Sequence, residues 1–249
     1  MSNAELALLK RFPKTRPALP ARFQEIYAAQ YLENRQGGSR AASLSQRLEA
    51  WMHRQVAQDR RAGSAVATLE LGAGTLNQLA YEPEAGSYDV VEPFADLYAN
   101  SPFKDRVWST YGDIAEVPSD RVYDRITSVA ALEHICDLPQ VLARAALLLS
   151  PEGTLRSAIP AEGGLLWTLG WSLTTGLEFR LRHGLDYGIL MAHEHVNSAA
   201  EIEGLIQALF GQVTIRSFGL GRQFSLYRFI EASNPRLEVA RAWLEPARA

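Results

Sequence analysis

Short apolar runs alternate with stretches of helical period through the middle of this 249-residue chain. The run from Pro139 to Leu149 predicts a helix, because a first-turn proline lacks only an N–H that would be unpaired there. Thr75–Leu79 predicts the start of an earlier helix, which Pro83 keeps short. The apolar runs predict five strands, near residues 66–71, 88–92, 107–109, 124–129 and 153–159. This alternation favours an α/β fold with a mostly parallel sheet and right-handed crossovers.

Residues 1–62 have a different pattern and predict an N-terminal helical appendage. Three prolines between residues 11 and 20 indicate extended chain, and Gly37-Gly38-Ser39 breaks the segment further on. Apolar positions predict one helix before that break and one after it, with faces formed by Phe23, Ile26, Tyr27 and Tyr31, and by Leu44, Leu48, Trp51, Met52 and Val56. We expect the second helix to pack on the sheet. The alternative is that the appendage closes over a bound cofactor through Tyr31, Asn34 and Arg35.

Residues 63–249 form the predicted main domain, and residues 161–198 are an expected insertion that serves as a lid over the substrate. Within it, Gly163–Leu177 has no charged residue, and its 15 residues are fewer than the about 20 that a membrane-spanning helix needs. A buried or lid helix is the first interpretation, a wall for an apolar or lipid-linked acceptor the second, and a membrane-surface helix the third. Ala199–Phe210 predicts a helix, and Val213–Ser217 and Phe224–Glu231 predict two strands joined by a glycine-rich turn.

A glycine-rich turn follows the first predicted strand, in the segment Glu70-Leu-Gly72-Ala73-Gly74. The second strand ends at Glu92, twenty residues beyond Gly72. In a doubly wound sheet the glycines let the backbone approach a nucleoside, and the second acid binds its ribose hydroxyls. A dinucleotide site requires a third glycine, which is missing, and Glu70 would repel a pyrophosphate. A cationic ligand without phosphate would instead be stabilised.

With these motifs the chain resembles the class I S-adenosylmethionine-dependent methyltransferases, whose first motif is typically E-x-G-x-G after a strand. Three further segments match that family in order: Tyr111–Ile114, Tyr123–Ile135 and Leu149–Pro160. The match covers roughly residues 64–160. Within the family, the chain looks most like bacterial methyltransferases of polysaccharide or secondary-metabolite biosynthesis.

The resemblance implies a Rossmann-like, mostly parallel seven-stranded sheet with one antiparallel edge strand, to which the N-terminal helices and the helical lid are added. It also implies S-adenosyl-L-methionine as the cofactor. Glu92 is expected at the ribose and Asp113 at the adenine, although Asp113 could instead cap the turn through Ala115. The full set of cofactor-binding residues expected on this basis is Glu70, Gly72, Ala73, Gly74, Glu92, Pro93, Asp113, Ile114, Ala130, Ala131 and Glu133.

Histidines are the candidate catalytic bases, because a free pKa of about 6.5 lets them accept a proton near neutrality. His134 follows the fourth strand, and His193 and His195 come near the end of the lid insertion, after its uncharged run. His134 could alternatively pack beside the adenine or cap a helix. The His-x-His spacing is weak support for a metal without a third clustered ligand, so no metal is predicted. His53, His183 and Cys136 are expected to be ordinary structural residues.

Composition excludes some classes of function and leaves others open. A formal charge of −3 gives no basic surface for nucleic acid, and a single cysteine is compatible with a reducing cytoplasm. No leader or transmembrane segment is apparent, so a cytoplasmic location is expected. We expect methyl transfer to a small molecule or a glycan or lipid-linked intermediate, with O-methylation ahead of N- or C-methylation. A non-catalytic scaffold and a nicotinamide-dependent oxidoreductase are the remaining alternatives, and a homodimer is left open.

Overall fold

The computed structural model describes residues 3–27, 43–59 and 65–245. Seven strands form one sheet in the order β3-β2-β1-β4-β5-β7-β6. Their bounds are β1 Thr68–Leu71, β2 Tyr88–Val91, β3 Ser109–Tyr111, β4 Tyr123–Val129, β5 Leu149–Pro160, β6 Phe210–Leu220 and β7 Phe224–Pro235. The first five strands pair in parallel, whereas β7 pairs antiparallel with both β5 and β6. The predicted sheet class is confirmed, with the antiparallel strand one position in from edge strand β6.

Helices cover the sheet and extend beyond it. Their bounds are α1 Asn3–Leu9, α2 residues 21–27, α3 Ser43–Ala57, α4 Leu138–Leu148, α5 Leu165–Trp171, α6 Leu177–His183, α7 Tyr187–Glu194, α8 Ala199–Leu209 and α9 Leu237–Leu244. A π-helical turn, Ser172–Gly176, joins α5 to α6. Short 3₁₀ turns lie at Asn77–Ala80, Ala95–Leu97, Lys104–Arg106, Ile114–Glu116 and Leu132–His134. None of the helices in the described ranges is long and apolar enough to cross a membrane.

The main core lies between the sheet and helices α4, α8 and α9. Leu142 and Ala146 of α4 and Ile202 and Ile206 of α8 are fully buried there. The proline expected in the first turn of α4 is present at that place. α8 begins with a capping box, in which the side chains of Ser198 and Glu201 satisfy each other's backbone N–H groups.

Helix α3 packs on the other face of the sheet, as the sequence predicted. Met52 and Val56 are buried against Ala158 and Phe229. Arg125 of β4 and Arg156 of β5 both donate hydrogen bonds to the carbonyl of Val56, at 2.8 and 2.9 Å. Cations at the C-terminal end of a helix donate hydrogen bonds to its unpaired carbonyl groups and interact favourably with the helix dipole. The position of α3 above the sheet is therefore fixed at its C-terminal end.

Three details of the sequence prediction were wrong. The first crossover contains only the 3₁₀ turn Asn77–Ala80, because Leu76 has a φ of 67°, outside the α-helical region, before the segment ends at Pro83. The third strand begins two residues later than predicted. β5 is longer because it already pairs with β4 at Leu149, and β6 and β7 are longer because their ladder runs from Phe210 paired with Pro235 to Leu220 paired with Phe224. Tyr31, Asn34 and Arg35 lie outside the described residues. The predicted division into appendage, main domain and lid stays a prediction.

Candidate active site

Two adjoining cavities open at the carboxyl ends of the parallel strands, where a doubly wound sheet binds ligands. The first, here called the β2–β3 cavity, has a volume of about 610 Å³ and is lined by Glu92, Pro93, Phe94, Asp113 and Ile114 among others. The second, the histidine cavity, has a volume of about 470 Å³ and includes Glu70, Ala73, Glu133, Trp167, His195 and Tyr227. Four of the residues that the structure describes line both cavities: Gly72, Gly74, Ala130 and His134. The glycine turn and His134 therefore mark the boundary between the two cavities.

The glycine turn requires both of its glycines, for different reasons. Gly72 has a φ of 69°, and a Cβ added there would lie 2.4 Å from the Cβ of Ala131. Gly74 has a φ of 52°, yet no atom lies within 4 Å of the position its Cβ would take. Gly72 thus allows β1 and the loop after β4 to approach closely, whereas Gly74 keeps backbone exposed to open space at the boundary of the cavities.

Glu92 holds the glycine turn from the end of β2. One carboxylate oxygen accepts a hydrogen bond from the N–H of Gly74 at 2.9 Å, and the other accepts from the N–H of Phe94 at 3.0 Å. Each oxygen retains a lone pair that can accept from a second donor. Glu92 is therefore a structural residue of the turn, and it can still bind a diol from the β2–β3 cavity.

Asp113 caps the 3₁₀ turn that follows β3. Its Oδ1 accepts from the N–H of Ala115 at 2.8 Å, which is the capping role considered from the sequence. The residue also lines the β2–β3 cavity beside Ile114. The adenine contact expected for Asp113 is compatible with this geometry, since Oδ2 does not take part in the cap.

Ala130, directly after β4, has a φ of 50°, a backbone conformation that costs energy for a non-glycine residue.

Glu70 lies buried at the floor of the histidine cavity. Its carboxylate accepts a hydrogen bond from the hydroxyl of Tyr88 at 2.9 Å. Burial raises its pKa to about 8, against the lowering effect of that hydrogen bond. A buried carboxylate of this kind stabilises a cation that enters the cavity, because the cation replaces the lost hydration.

His195 is oriented by a carboxylate in a way that leaves one nitrogen as an acceptor. Its Nδ1 lies 2.8 Å from Oε2 of Glu162, which also accepts from the indole N–H of Trp167 at 2.6 Å. An ionised carboxylate can only accept, so Nδ1 carries the proton and Nε2 is the basic atom. Burial alone would lower the pKa of His195. The hydrogen bond that Nδ1 donates to Glu162 and the charges of Glu133, Glu162 and Glu194 outweigh burial, and together they raise this pKa.

His134 and Glu133 complete the polar group of the histidine cavity. The rings of His134 and His195 meet edge to face with their centroids 4.9 Å apart. Nδ1 of His134 donates to the carbonyl of Glu194 at 2.9 Å, and Nε2 lies 3.7 Å from Oε1 of Glu133. Glu133 is buried, its Oε2 has no hydrogen-bond partner within the described structure, and burial raises its pKa. Two ring nitrogens and a carboxyl group thus converge in one cavity.

The same three residues are also a candidate metal cluster. One atom each from Glu133, His134 and His195 lie within 4.8 Å of one another. Both Nδ1 atoms are held by oxygen acceptors, as in many metal-ligating histidines. The sequence analysis weighed only His193 and His195 as metal ligands and predicted no metal. In the structure the candidate cluster contains His195 with Glu133 and His134, and not His193. The absence of a metal stays a prediction.

His193 lies apart from this cluster. Its Nδ1 donates to the carbonyl of Pro17 at 2.7 Å, and its ring contacts Tyr27. Arg16 joins the two histidine segments, because its guanidinium donates to the carbonyls of His134, His193 and Glu194 at 2.6 to 3.1 Å. The proline-containing segment therefore positions the loop that carries His195 and forms part of the β2–β3 cavity wall.

Sequence reasoning missed several residues of the histidine cavity. Glu162 was passed over, although it follows the carboxyl end of β5, a strand-end position that predicts ligand contact. His53 was expected to be ordinary, yet it lines the cavity, with its Nδ1 2.8 Å from the side-chain oxygen of Gln78. No local signal in the sequence connects α3 with this cavity, because the packing of α3 across the sheet brings it there.

Comparison with solved structures identifies the fold. The chain superposes on an O-methyltransferase family protein from Burkholderia thailandensis with a TM-score of 0.50 at 16% identity, covering 77% of this chain and 56% of that one. On a SAM-dependent methyltransferase from Thermotoga maritima, described as a possible histamine N-methyltransferase, the TM-score is 0.51 at 15% identity, with coverage of 86% and 97%. The fold is that of the class I methyltransferases.

A possible exported protein from Bordetella parapertussis has the same fold, with a TM-score of 0.53 at 15% identity and coverage of 94% of this chain and 80% of that one. The chain spans about half the length of several other structures that it matches, for example 48% of the C-methyltransferase domain chain of citrinin polyketide synthase. No family model and no curated protein matches the sequence. At these identities the likeness establishes the fold and leaves the reaction to be argued from the site.

Proposed function

We propose that the chain is an S-adenosylmethionine-dependent methyltransferase that transfers a methyl group to a hydroxyl of a small molecule or a glycan or lipid-linked intermediate. The observation that carries the proposal is the pair of cavities that meet at the glycine turn. One cavity contains a strand-end carboxylate suited to a ribose, and the other contains an oriented histidine. A donor and an acceptor bound in these two cavities would react at the boundary between them.

The residues present fit S-adenosylmethionine better than a dinucleotide. Arg16 is the one arginine or lysine among the described residues that line the two cavities, and its guanidinium is already bonded to three carbonyls. Glu92 and Asp113 are acidic and line the β2–β3 cavity, and Glu70, whose pKa burial raises to about 8, favours a cation because a cation stabilises its ionised form. A pyrophosphate would be repelled here, whereas an ammonium and a sulfonium are stabilised. In this assignment Glu92 binds the ribose of S-adenosylmethionine, and Glu70 stabilises the positively charged end of that cofactor.

When bound, S-adenosylmethionine supplies a methyl group that is activated by its attachment to a sulfonium. The protein would then align the acceptor oxygen with that methyl carbon, a contribution of up to about 7–11 kcal/mol in favourable cases. His195 would take the proton of the acceptor hydroxyl at Nε2, and Glu162 would stabilise the resulting imidazolium through Nδ1. Oxygen acceptors favour this arrangement because they have to lose a proton during methylation.

Calorimetric titration with S-adenosylmethionine, S-adenosylhomocysteine and NADPH tests the cofactor assignment. We expect micromolar binding of the two sulfur compounds and none of NADPH. Glu92→Ala should weaken the binding of both, whereas Glu238→Ala, a change of an exposed carboxylate on α9, should leave it intact. Binding of NADPH alone would favour the oxidoreductase alternative. Absence of all binding would favour a scaffold.

A further inference from the structure

Five leucines form a continuous exposed ridge on the helical insertion. They recur at every fourth position from α5 through the π turn to α6, and they are 50% to 80% exposed. This leucine ridge consists of Leu165, Leu169, Leu173, Leu177 and Leu181. The first interpretation of residues 163–177 is a buried or lid helix, and burial does not hold for the four ridge leucines in that range, since their side chains face outward.

The π turn keeps the ridge on one side of the helix. In a regular α-helix every fourth residue advances about 40°, so five such positions would wrap through about 160°. The π turn Ser172–Gly176 accommodates one additional residue, which sets the following residues back by about 100°. The five leucines consequently lie within an arc of about 60° along a helix about 28 Å long.

The opposite side of the same helix is fixed against the protein. Phe179 is buried in a cluster with Phe23 and Leu190. Trp167 stacks on His195 and contacts Tyr227 at the histidine cavity. The helix cannot rotate its leucines inward without losing these contacts. It therefore has one face at the proposed acceptor site and one apolar face directed outward.

Two more exposed apolar residues extend this surface at the β6–β7 hairpin. Leu220 and Phe224 are 86% and 57% exposed. The hairpin lies against the start of α5, because the N–H of Leu166 donates to the carbonyl of Gln223 at 2.9 Å. Large exposed apolar surfaces of this kind mark interaction sites.

Guanidinium groups flank the apolar surface. Arg180 and Arg182 are exposed, and in an α-helix they project about 100° to either side of Leu181. Arg222 is exposed at the hairpin, where it pairs with Glu203. Glu178 is the one acidic residue within residues 163–183. Outward-facing apolar residues with arginines beside them match a helix that lies in a lipid interface, with guanidinium groups at the level of the phosphates.

We infer that the leucine ridge and the hairpin dock on the surface of an anionic lipid bilayer. A bilayer fits this surface better than a protein groove, because the leucines project into solvent and the exposed arginines of α6 outnumber its one exposed glutamate. The inference does not rest on methyl transfer. If the proposed function is also correct, Trp167 on the inner side of the helical insertion would line the site of an acceptor that is presented from the membrane.

Co-sedimentation with vesicles tests the inference without cofactor or substrate. We expect the protein to bind vesicles of phosphatidylcholine mixed with phosphatidylglycerol, and to bind pure phosphatidylcholine less. Leu173→Gln combined with Leu181→Gln should reduce binding by about tenfold, since it removes two of the most exposed leucines. Leu6→Gln combined with Leu237→Gln, at exposed leucines of α1 and α9, is the matched control and should bind as the wild type does.

Arg180→Gln combined with Arg182→Gln should remove the preference for anionic vesicles while leaving weak binding to both compositions. Circular dichroism checks that each variant retains the wild-type fold. The inference is overturned if the wild-type protein does not bind vesicles, or if the ridge variant binds as well as its control. A concentration-dependent dimer that the ridge variant abolishes would also overturn it, because the ridge would then belong to an interface between two copies.

Discussion

The two cavities of the site are built in different ways. The β2–β3 cavity is formed mostly by residues that directly follow strands, such as Glu92 and Asp113, and its geometry depends on backbone conformation. The histidine cavity is formed by side chains from α3, β5, β7 and the loop before α8. The first cavity is thus a property of the fold, whereas the second is particular to this chain. Changes in the first cavity should affect cofactor affinity, and changes in the second should affect turnover, except at Glu70, which is assigned to the cationic end of the cofactor.

Loss of His195 is expected to give the largest effect. His195→Ala removes the proposed proton acceptor and should lower kcat by about 10²–10⁴-fold on the true acceptor. Affinity for S-adenosylmethionine should change little, because His195 lines the histidine cavity and does not line the β2–β3 cavity, where the ribose is expected. Steady-state kinetics and calorimetry measure the two quantities. His183→Ala serves as the control, and full activity of the His195 variant would remove this residue from the mechanism.

Loss of Glu92 should give the converse result. Glu92→Ala removes a ribose ligand and the hydrogen bonds to Gly74 and Phe94, so affinity for S-adenosylmethionine should fall more than tenfold. At saturating cofactor kcat should recover most of its wild-type value. Calorimetry and kinetics at high cofactor concentration separate the two effects. An unchanged affinity would show that the ribose assignment is wrong.

The same contrast explains how much the sequence could predict. Glu70, Gly72, Gly74 and Glu92 lie within 23 residues, and strand periodicity alone places them at one edge of the sheet. Glu162 and His195 are 33 residues apart, and their contact depends on how a π-containing helical insertion folds back on β7. Periodicity specifies which residues are apolar, but it does not specify which face of an insertion meets the protein. The leucine ridge shows this, since the absence of charge in residues 163–177 is compatible with a buried helix, a lid helix or a membrane-surface helix, and only the structure shows that these leucines are exposed.

The pH dependence of turnover should report the Glu162–His195 pair. His195 must be neutral to accept a proton, and its pKa is raised, so activity should fall on the acid side with a midpoint above the ordinary value of about 6.5. Glu162→Gln removes the negative charge that raises this pKa, while its side-chain oxygen can still accept from Nδ1. The acid limb of kcat/KM should therefore move to lower pH. An unmoved limb would mean that another group controls it.

Cofactor binding should depend on pH through Glu70. With a pKa of about 8, Glu70 is mostly protonated at neutral pH, and a bound cation favours its ionised form. Binding should therefore release a proton, and affinity should increase by up to about tenfold per pH unit below pH 8. S-adenosylhomocysteine lacks the sulfonium and should show a weaker dependence. Calorimetry in buffers of different ionisation enthalpy measures the proton release, and Glu70→Gln should abolish the contribution of this residue.

Removal of metal ions is expected to have the smallest effect. If Nε2 of His195 accepts a proton, it cannot at the same time bind an ion, so chelation should leave the activity unchanged. Metal analysis of the purified protein should likewise find no stoichiometric ion. The opposite result has a clear structural interpretation: Glu133, His134 and His195 would be ligands, and Glu162 and the carbonyl of Glu194 would orient the two rings. In that case an acceptor hydroxyl would be activated by coordination, and the histidine cavity would differ from the β2–β3 cavity in its chemistry as well as in its construction.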